Sequence, residues 1–246
     1  MKQGRVVVIT GAAGGVGSVL VARFLANDDI VIATDATAEG LERLSAAHPG
    51  SDRLLTVVAD IASEGDALAL AEAVRGHSGR VDVLVNCAGF FPIVPFADMT
   101  TEQWSRVIGV NLTGPFLVTH ALLPLMRGNG WGRVINFGSA SVFEGTRGQS
   151  HYVAAKAGLV GFTRSLAREL GEFNITVNVI TPGLTVTPAV RDHFPAAILE
   201  TQRDRRSIQR DEVPEDLVGP VFFLASEDSD FISGQTLNVD GGKFMP

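Results

Sequence analysis

The chain has 246 residues, a formal net charge of −7, a hydrophobic share of 46%, a charged share of 19% and 27 glycines spread along its length. That balance suits a single domain around a sheet buried on both faces, and with no long run of lysine or arginine it excludes an extended basic surface for nucleic acid. The lone cysteine, Cys87, excludes an intrachain disulfide and a cysteine-based metal cluster, and no uninterrupted apolar run reaches the ~18 residues of a membrane span, so a soluble cytoplasmic protein with a small-molecule partner and no metal is expected.

Arg5 to Thr10 reads R-V-V-V-I-T, the β-branched run of a buried parallel strand. Glycines follow at once, in the spacing T-G-x-x-x-G-x-G, and lead into the apolar helical pattern of Ser18 to Ala26. Gly11, Gly14, Gly15, Val16 and Gly17 therefore open a helix directly after a strand. Backbone amides there can hold a pyrophosphate, and glycine clears the approach. The stricter dinucleotide spacing G-x-G-x-x-G is absent.

A second apolar run, Ile30 to Ala33, is followed by Asp35. An acid ~20 residues beyond the glycine loop can accept hydrogen bonds from adenosine ribose hydroxyls and repels a 2′-phosphate, which favours NAD over NADP. Leu54 to Ala59 and Val81 to Val85 are further strand-like runs, ending at Asp60-Ile61 and at Asn86-Cys87-Ala88-Gly89. Helical patterns at Glu64 to Arg75 and Thr101 to Met126 follow them, and this alternation predicts an α/β, doubly wound parallel sheet. Ligands in that architecture sit beyond the carboxyl ends of the strands, where Asp35, Asp60 and Asn86 would gather.

The only tyrosine, Tyr152, has Lys156 four residues after it. On a helix from Val153 to Leu170 both project from one face, so the ammonium can favour the phenolate and make a base of a group whose ordinary pKa is about 10. A surface i, i+4 pair on an amphipathic helix is the structural alternative.

Taken together, T-G-x-x-x-G-x-G, the acid at 35, N-C-A-G at 86–89, Asn111, Ser139, Y-x-x-x-K, the T-P-G turn at 181–183 and F-I-S-G-Q-T-L-N-V-D-G-G at 231–242 resemble the short-chain dehydrogenase/reductase family over almost the whole chain. Cys87 departs from the family's N-N-A-G, and Thr185 stands where valine is frequent. The resemblance implies one Rossmann domain over residues 1–246, about seven strands, a substrate lid at about 187–212 and a homotetramer. It implies Tyr152 as general acid/base and Ser139 as hydrogen-bond donor to the reacting oxygen. Lys156 would lower the Tyr152 pKa and hold the nicotinamide ribose, and Asn111 would seat a proton-relaying water. Asp60 and Ile61 would flank adenine, Asn86, Ala88 and Gly89 would line the adenosine side, and Pro182, Gly183, Thr185 and Thr187 would close over the nicotinamide.

The substrate wall is expected from Phe91, Ser141, Phe143, His151 and Leu184, mostly apolar or aromatic, which suits a compact hydrophobic or aromatic alcohol. Arg191, Arg203, Arg205, Arg206 and Arg210 read as the solvated basic face of a lid helix. F-P-I-V-P-F and N-G-W-G-R-V-I-N are similar to aryl secondary alcohol dehydrogenases, whereas Y-V-A-A-K and F-N-I-T-V-N-V-I-T-P-G-L are similar to pyridoxal dehydrogenases. An NAD-dependent alcohol dehydrogenase is the leading expectation; a carbonyl or 3-ketoacyl reductase and a non-catalytic NAD-responsive binding protein are the alternatives.

Overall fold

A computed structural model of the chain describes residues 4–245; Met1–Gln3 and Pro246 of the expected domain lie outside them. Strand and helix alternate from the start: β1 (Val6–Thr10), α1 (Gly15–Leu25), β2 (Ile30–Asp35), α2 (Ala38–Ala47), β3 (Leu54–Val58), α3 (Glu64–His77) and β4 (Val83–Asn86). α4 (Thr101–Ile108) and α5 (Gly114–Met126) lead to β5 (Gly132–Phe137), α6 (Ser141–Glu144), α7 (Ser150–Leu170) and β6 (Ile175–Pro182). α8 (Pro188–His193), α9 (Ala196–Asp204), α10 (Glu215–Leu224) and β7 (Thr236–Val239) complete the chain.

The strands form one seven-stranded sheet in the order β3-β2-β1-β4-β5-β6-β7, every pair parallel. The expected α/β doubly wound architecture is therefore the one adopted. Side chains alternate across each strand. In β1, Val7 and Ile9 join a core with α1 and α10 (Leu20, Phe24, Leu217, Val221), while Val6 and Val8 join a core with α3 and α5 (Leu70, Val74, Val118, Leu122) on the opposite face. Chain order reverses between β1 and β4, which opens a crevice at their carboxyl ends.

Two features of Thr101–Met126 differ from the sequence expectation. The run is long enough, with a mean hydropathy of 1.4 over its most apolar window, to match a membrane-crossing helix by length and composition. Its apolar side is nevertheless core: Val107, Val118, Leu122 and Met126 are buried. The helix is also not uniform, because Gly109–Thr113 forms a π-helical turn between α4 and α5. Such turns insert an extra residue and re-aim one side chain, here near Asn111.

Candidate active site

The carboxyl ends of β1, β2, β4, β5 and β6 border one cleft of about 1090 Å³. Its first end is the turn after β1. Gly11 has φ +63°, and a Cβ on it would stand 2.7 Å from the Ala88 backbone; a Cβ on Gly15 would stand 2.6 Å from Thr187. These glycines let the turn, the β4 end and the β6 end approach one another. α1 has no side-chain cap at Gly14 and no acid in its first turn. An uncapped helix N-terminus lined by glycine fits an anionic pyrophosphate. Thr10 fixes the neighbouring wall, its hydroxyl accepting from the Cys87 and Ala88 amides at 3.1 Å each.

Asp35 ends β2 at the rim of this region. Its Oδ2 accepts from the Ala13 amide at 3.1 Å, and its Oδ1 accepts from the Thr37 amide and hydroxyl at 3.3 and 3.2 Å. Asp60 and Ile61 lie along the same wall. Asn86 does not: it is buried, and its Nδ2 donates to Asn136 Oδ1 at 2.9 Å and Thr119 Oγ1 at 3.2 Å. Its strand-end position was read correctly, but its side chain turns inward to join β4 to β5 and α5.

The other end of the cleft holds Ser139, Tyr152 and Lys156. α7 begins at Ser150, three residues before the expected start, so Tyr152 and Lys156 share its first turns. The Tyr152 ring meets Phe91 edge-on with centroids 6.3 Å apart. Lys156 Nζ lies 5.7 Å from the Tyr152 ring centroid and donates to the Phe137 carbonyl at 2.6 Å. Burial lowers the Lys156 pKa to about 8. Burial also pushes the Tyr152 phenol up to about 12, opposed by its hydrogen bond with Ser139. Lys156 does not lower the phenol here: desolvation is the largest cause, only the Ser139 hydrogen bond opposes it, and the ammonium is engaged by Phe137. Cys87, on the same wall, is likewise raised by burial to about 12, consistent with an inert thiol.

Asn111 is buried behind this end rather than on the cleft wall. From the π turn its Nδ2 donates to Phe90 O at 2.7 Å and Val107 O at 2.9 Å, and its Oδ1 accepts from Phe90 N at 3.3 Å. It thereby pins the chain after β4. A Cβ on Gly89 would stand 3.4 Å from Asn111 Oδ1 and 4.0 Å from Lys156 Nζ, in ordinary contact with both.

Pro182, Gly183, Leu184, Thr185 and Thr187 line the cleft from the β6 side, with Phe91 and Ser141 opposite. His151 does not line it: the ring is fully buried, and Nδ1 accepts the Tyr152 amide at 2.9 Å. Phe143 also stands off the wall, 6.3 Å from the Phe244 ring that does line it. The sequence reading missed Arg106, Glu144, Arg147, Lys243 and Phe244 on the wall. Lys243 and Phe244 sit directly after the last strand motif, and their reach back across the cleft has no local sequence signal.

The lid stretch is not one helix, and one of its arginines, Arg206, is buried, while Arg191, Arg205 and Arg210 are exposed as expected. It divides into α8 and α9, and Arg205 pairs with Glu144, Arg203 with Asp211 at 3.3 Å, Arg206 with Glu212 at 3.4 Å and Arg210 with Asp216 at 2.6 Å. The acidic partners lie in the 211–216 segment and, for Arg205, 61 residues upstream.

Residues 11–243 match the family model described as enoyl-(acyl carrier protein) reductase. The chain is 35% identical over 241 residues to a 3-oxoacyl-(acyl-carrier-protein) reductase of Thermotoga maritima, covering 98% of each. It is 35% identical over 251 residues to an acetoacetyl-CoA reductase of an Acinetobacter species, covering 100% of each. A solved structure titled short-chain dehydrogenase/reductase, glucose/ribitol dehydrogenase, from Brucella melitensis superposes with a TM-score of 0.92 at 30% identity, over 99% of this chain and 98% of that one.

Proposed function

Because the chain belongs to the short-chain dehydrogenase/reductase family of nicotinamide-dependent oxidoreductases, we propose that it interconverts a 3-oxoacyl thioester and its 3-hydroxy form, using NAD(H) in preference to NADP(H). The observation that carries this reading is the convergence of Ser139, Tyr152 and Lys156 at one end of a cleft whose other end is the glycine turn and Asp35. The names of the relatives move the substrate class toward 3-oxoacyl thioesters and away from the aryl alcohol that the sequence favoured. Arg106 and Arg147 on the cleft wall support an acyl carrier with anionic groups. A second reading, a compact aromatic alcohol, is favoured by Phe90, Phe91, Phe194 and Phe244 on the same wall.

A nicotinamide held in the cleft would supply or accept the hydride. Ser139 donates to the reacting oxygen and offsets the charge that develops on it. Tyr152, kept protonated near neutrality by burial, gives its proton to that oxygen in reduction and takes it back in oxidation. Lys156, anchored by Phe137, presents its ammonium to the ribose hydroxyls. Asn111 holds the Phe90 backbone, and the Oδ1 lone pair left over is available to a water that returns protons to Tyr152 through Lys156. Asp35 supports NAD, since a carboxylate at the rim binds ribose hydroxyls and repels a 2′-phosphate. A soluble cytoplasmic homotetramer completes the reading, by likeness to the family.

The test is a rate survey with NADH and NADPH across acetoacetyl-CoA, longer 3-oxoacyl thioesters, acetophenone and pyridoxal. The highest kcat/KM is expected for a 3-oxoacyl thioester with NADH. A higher value for acetophenone would move the assignment to the second reading, and preference for NADPH would overturn the role given to Asp35.

A further inference from the structure

In the turn after β6, which lines the cleft, several polar groups are held by two residues outside the cleft. The Gly183 amide donates to Glu212 Oε2 at 3.1 Å, and the Thr185 hydroxyl donates to Glu212 Oε1 at 2.6 Å. The Val186 amide donates to the Glu212 carbonyl at 2.7 Å, and Thr185 and Glu212 form an isolated parallel bridge. Arg206 Nη2 spans the Leu184 carbonyl at 3.0 Å and Glu212 Oε2 at 3.4 Å, while its Nη1 donates to the Arg210 carbonyl at 3.0 Å. Both side chains are almost wholly buried. Glu212 Oε2 packs against Gly183 so closely that a Cβ on that glycine would stand 2.6 Å from it.

We propose that Glu212 is a positioning residue for the nicotinamide end of the cleft: its carboxylate, braced by Arg206, sets the Gly183–Thr187 turn, and neutralising it releases the turn and weakens bound dinucleotide. This rests on the reading of the cleft as a dinucleotide site. A carboxylate that accepts an amide, a hydroxyl and a guanidinium fixes three directions at once, and the protonated acid cannot accept in all of them. Burial raises the Glu212 pKa to about 7, against the Thr185 hydrogen bond, the Arg206 charge and the Gly183 amide. The other charged groups packed around it are accounted for. Asp216 raises it further but is itself paired with Arg210. Asp211 pairs with Arg203, and Asp240 accepts from the amides of Gly242, Lys243 and Phe244. Near neutrality, then, Glu212 is the group in this cluster whose charge changes.

The experiment is a fluorescence titration of NADH binding between pH 5.5 and 8.5 for the wild type, Glu212→Gln and Thr185→Val, with melting curves for each. Wild-type Kd is expected to rise as pH falls through about 7. Glu212→Gln is expected to bind about tenfold more weakly at pH 8, the scale of a lost charged hydrogen bond, and to lose the wild-type rise below neutrality. Thr185→Val is expected to bind more weakly while keeping that rise. Should Glu212→Gln fail to fold, Thr185→Val and the wild-type profile decide the matter, and wild-type-like affinity in Thr185→Val overturns the proposal. Glu212→Gln binding like the wild type at pH 8, or binding weakly with the wild-type pH profile intact, also overturns it. Absence of NADH binding to the wild type at every pH would instead remove the dinucleotide reading, and the proposal with it.

Discussion

Replacing Tyr152 by Phe removes one oxygen from the chain's only phenol and leaves the ring in its edge contact with Phe91. No other phenol can take over the proton. With the pKa at about 12, on the order of one phenol in 10⁵ is ionised at pH 7, so the wild type meets a carbonyl substrate with the acid form already in place. General acid catalysis contributes roughly 10²–10⁴ in rate, which corresponds to about 3–5 kcal/mol of barrier. Turnover of a ketone substrate in Tyr152→Phe should fall by that factor, with NADH affinity changed less than about threefold, since an uncharged ring still fills the site. The pH profile adds a second check. Oxidation needs the phenolate, whose population rises about tenfold per pH unit below its pKa, so wild-type oxidation should climb as pH rises above neutrality while reduction stays flat. That climb should vanish in the variant. Turnover within tenfold of wild type, or an unchanged oxidation profile, would refute the assignment of Tyr152 as the proton-transfer group.

Two further variants probe opposite ends of the sheet. Asp35→Ser removes the charge at the rim, and the ratio of kcat/KM for NADPH to that for NADH should rise at least ~tenfold, since one like-charge contact at this range is worth about 1–3 kcal/mol; an unchanged ratio would mean that Asp35 does not face the ribose. Asp29→Asn strips the partner from Arg5, which Asp29 engages through Nε at 3.0 Å and Nη2 at 2.6 Å with both side chains buried. Breaking such a pair costs roughly 3–5 kcal/mol, a fall in Tm on the order of 10 °C, while turnover per folded molecule should be unchanged; a Tm within 2 °C of wild type would show the pair to be dispensable.

The sheet was legible because buried parallel strands need unbroken β-branched runs, and V-V-V-I, I-V-I-A and V-L-V are that signal with little competition. The glycine turn of the cleft was legible because its residues are backbone-defined, set by a strand-to-helix turn. Legibility failed where a side chain had a choice of direction. Asn86 and His151 sit at the expected positions in the chain but turn inward, toward Asn136 and the Tyr152 amide. The π turn at Asn111 left no trace, because one extra residue in a helix does not disturb its apolar pattern enough to be seen. Of the lid arginines only Arg206 departs from the solvated face, buried against Glu212 with no local signal for it, whereas Arg203, Arg205 and Arg210 pair with acids while remaining in contact with solvent.

Charge placement also separates the two ends of the fold. At the amino ends of the strands, Arg5 is buried against Asp29 and stacked over Phe24 and Phe222, and Arg133 is buried against Asp230 and Trp131. Guanidinium groups suit that task, since they stay charged and satisfy several acceptors in one plane. At the carboxyl ends four buried groups, Tyr152, Lys156, Cys87 and Glu212, are moved by burial toward their neutral forms. Of these, Lys156 at about 8 and Glu212 at about 7 change protonation at small cost near neutrality when a ligand or reacting oxygen arrives, whereas a paired arginine does not. Variants at the first end should therefore move Tm and spare catalysis, and conservative variants at the second should move binding and pH profiles with little change in Tm. A fold that kept its titratable groups at both ends alike would offer no such separation, and the contrast between Asp29→Asn and Tyr152→Phe measures it directly.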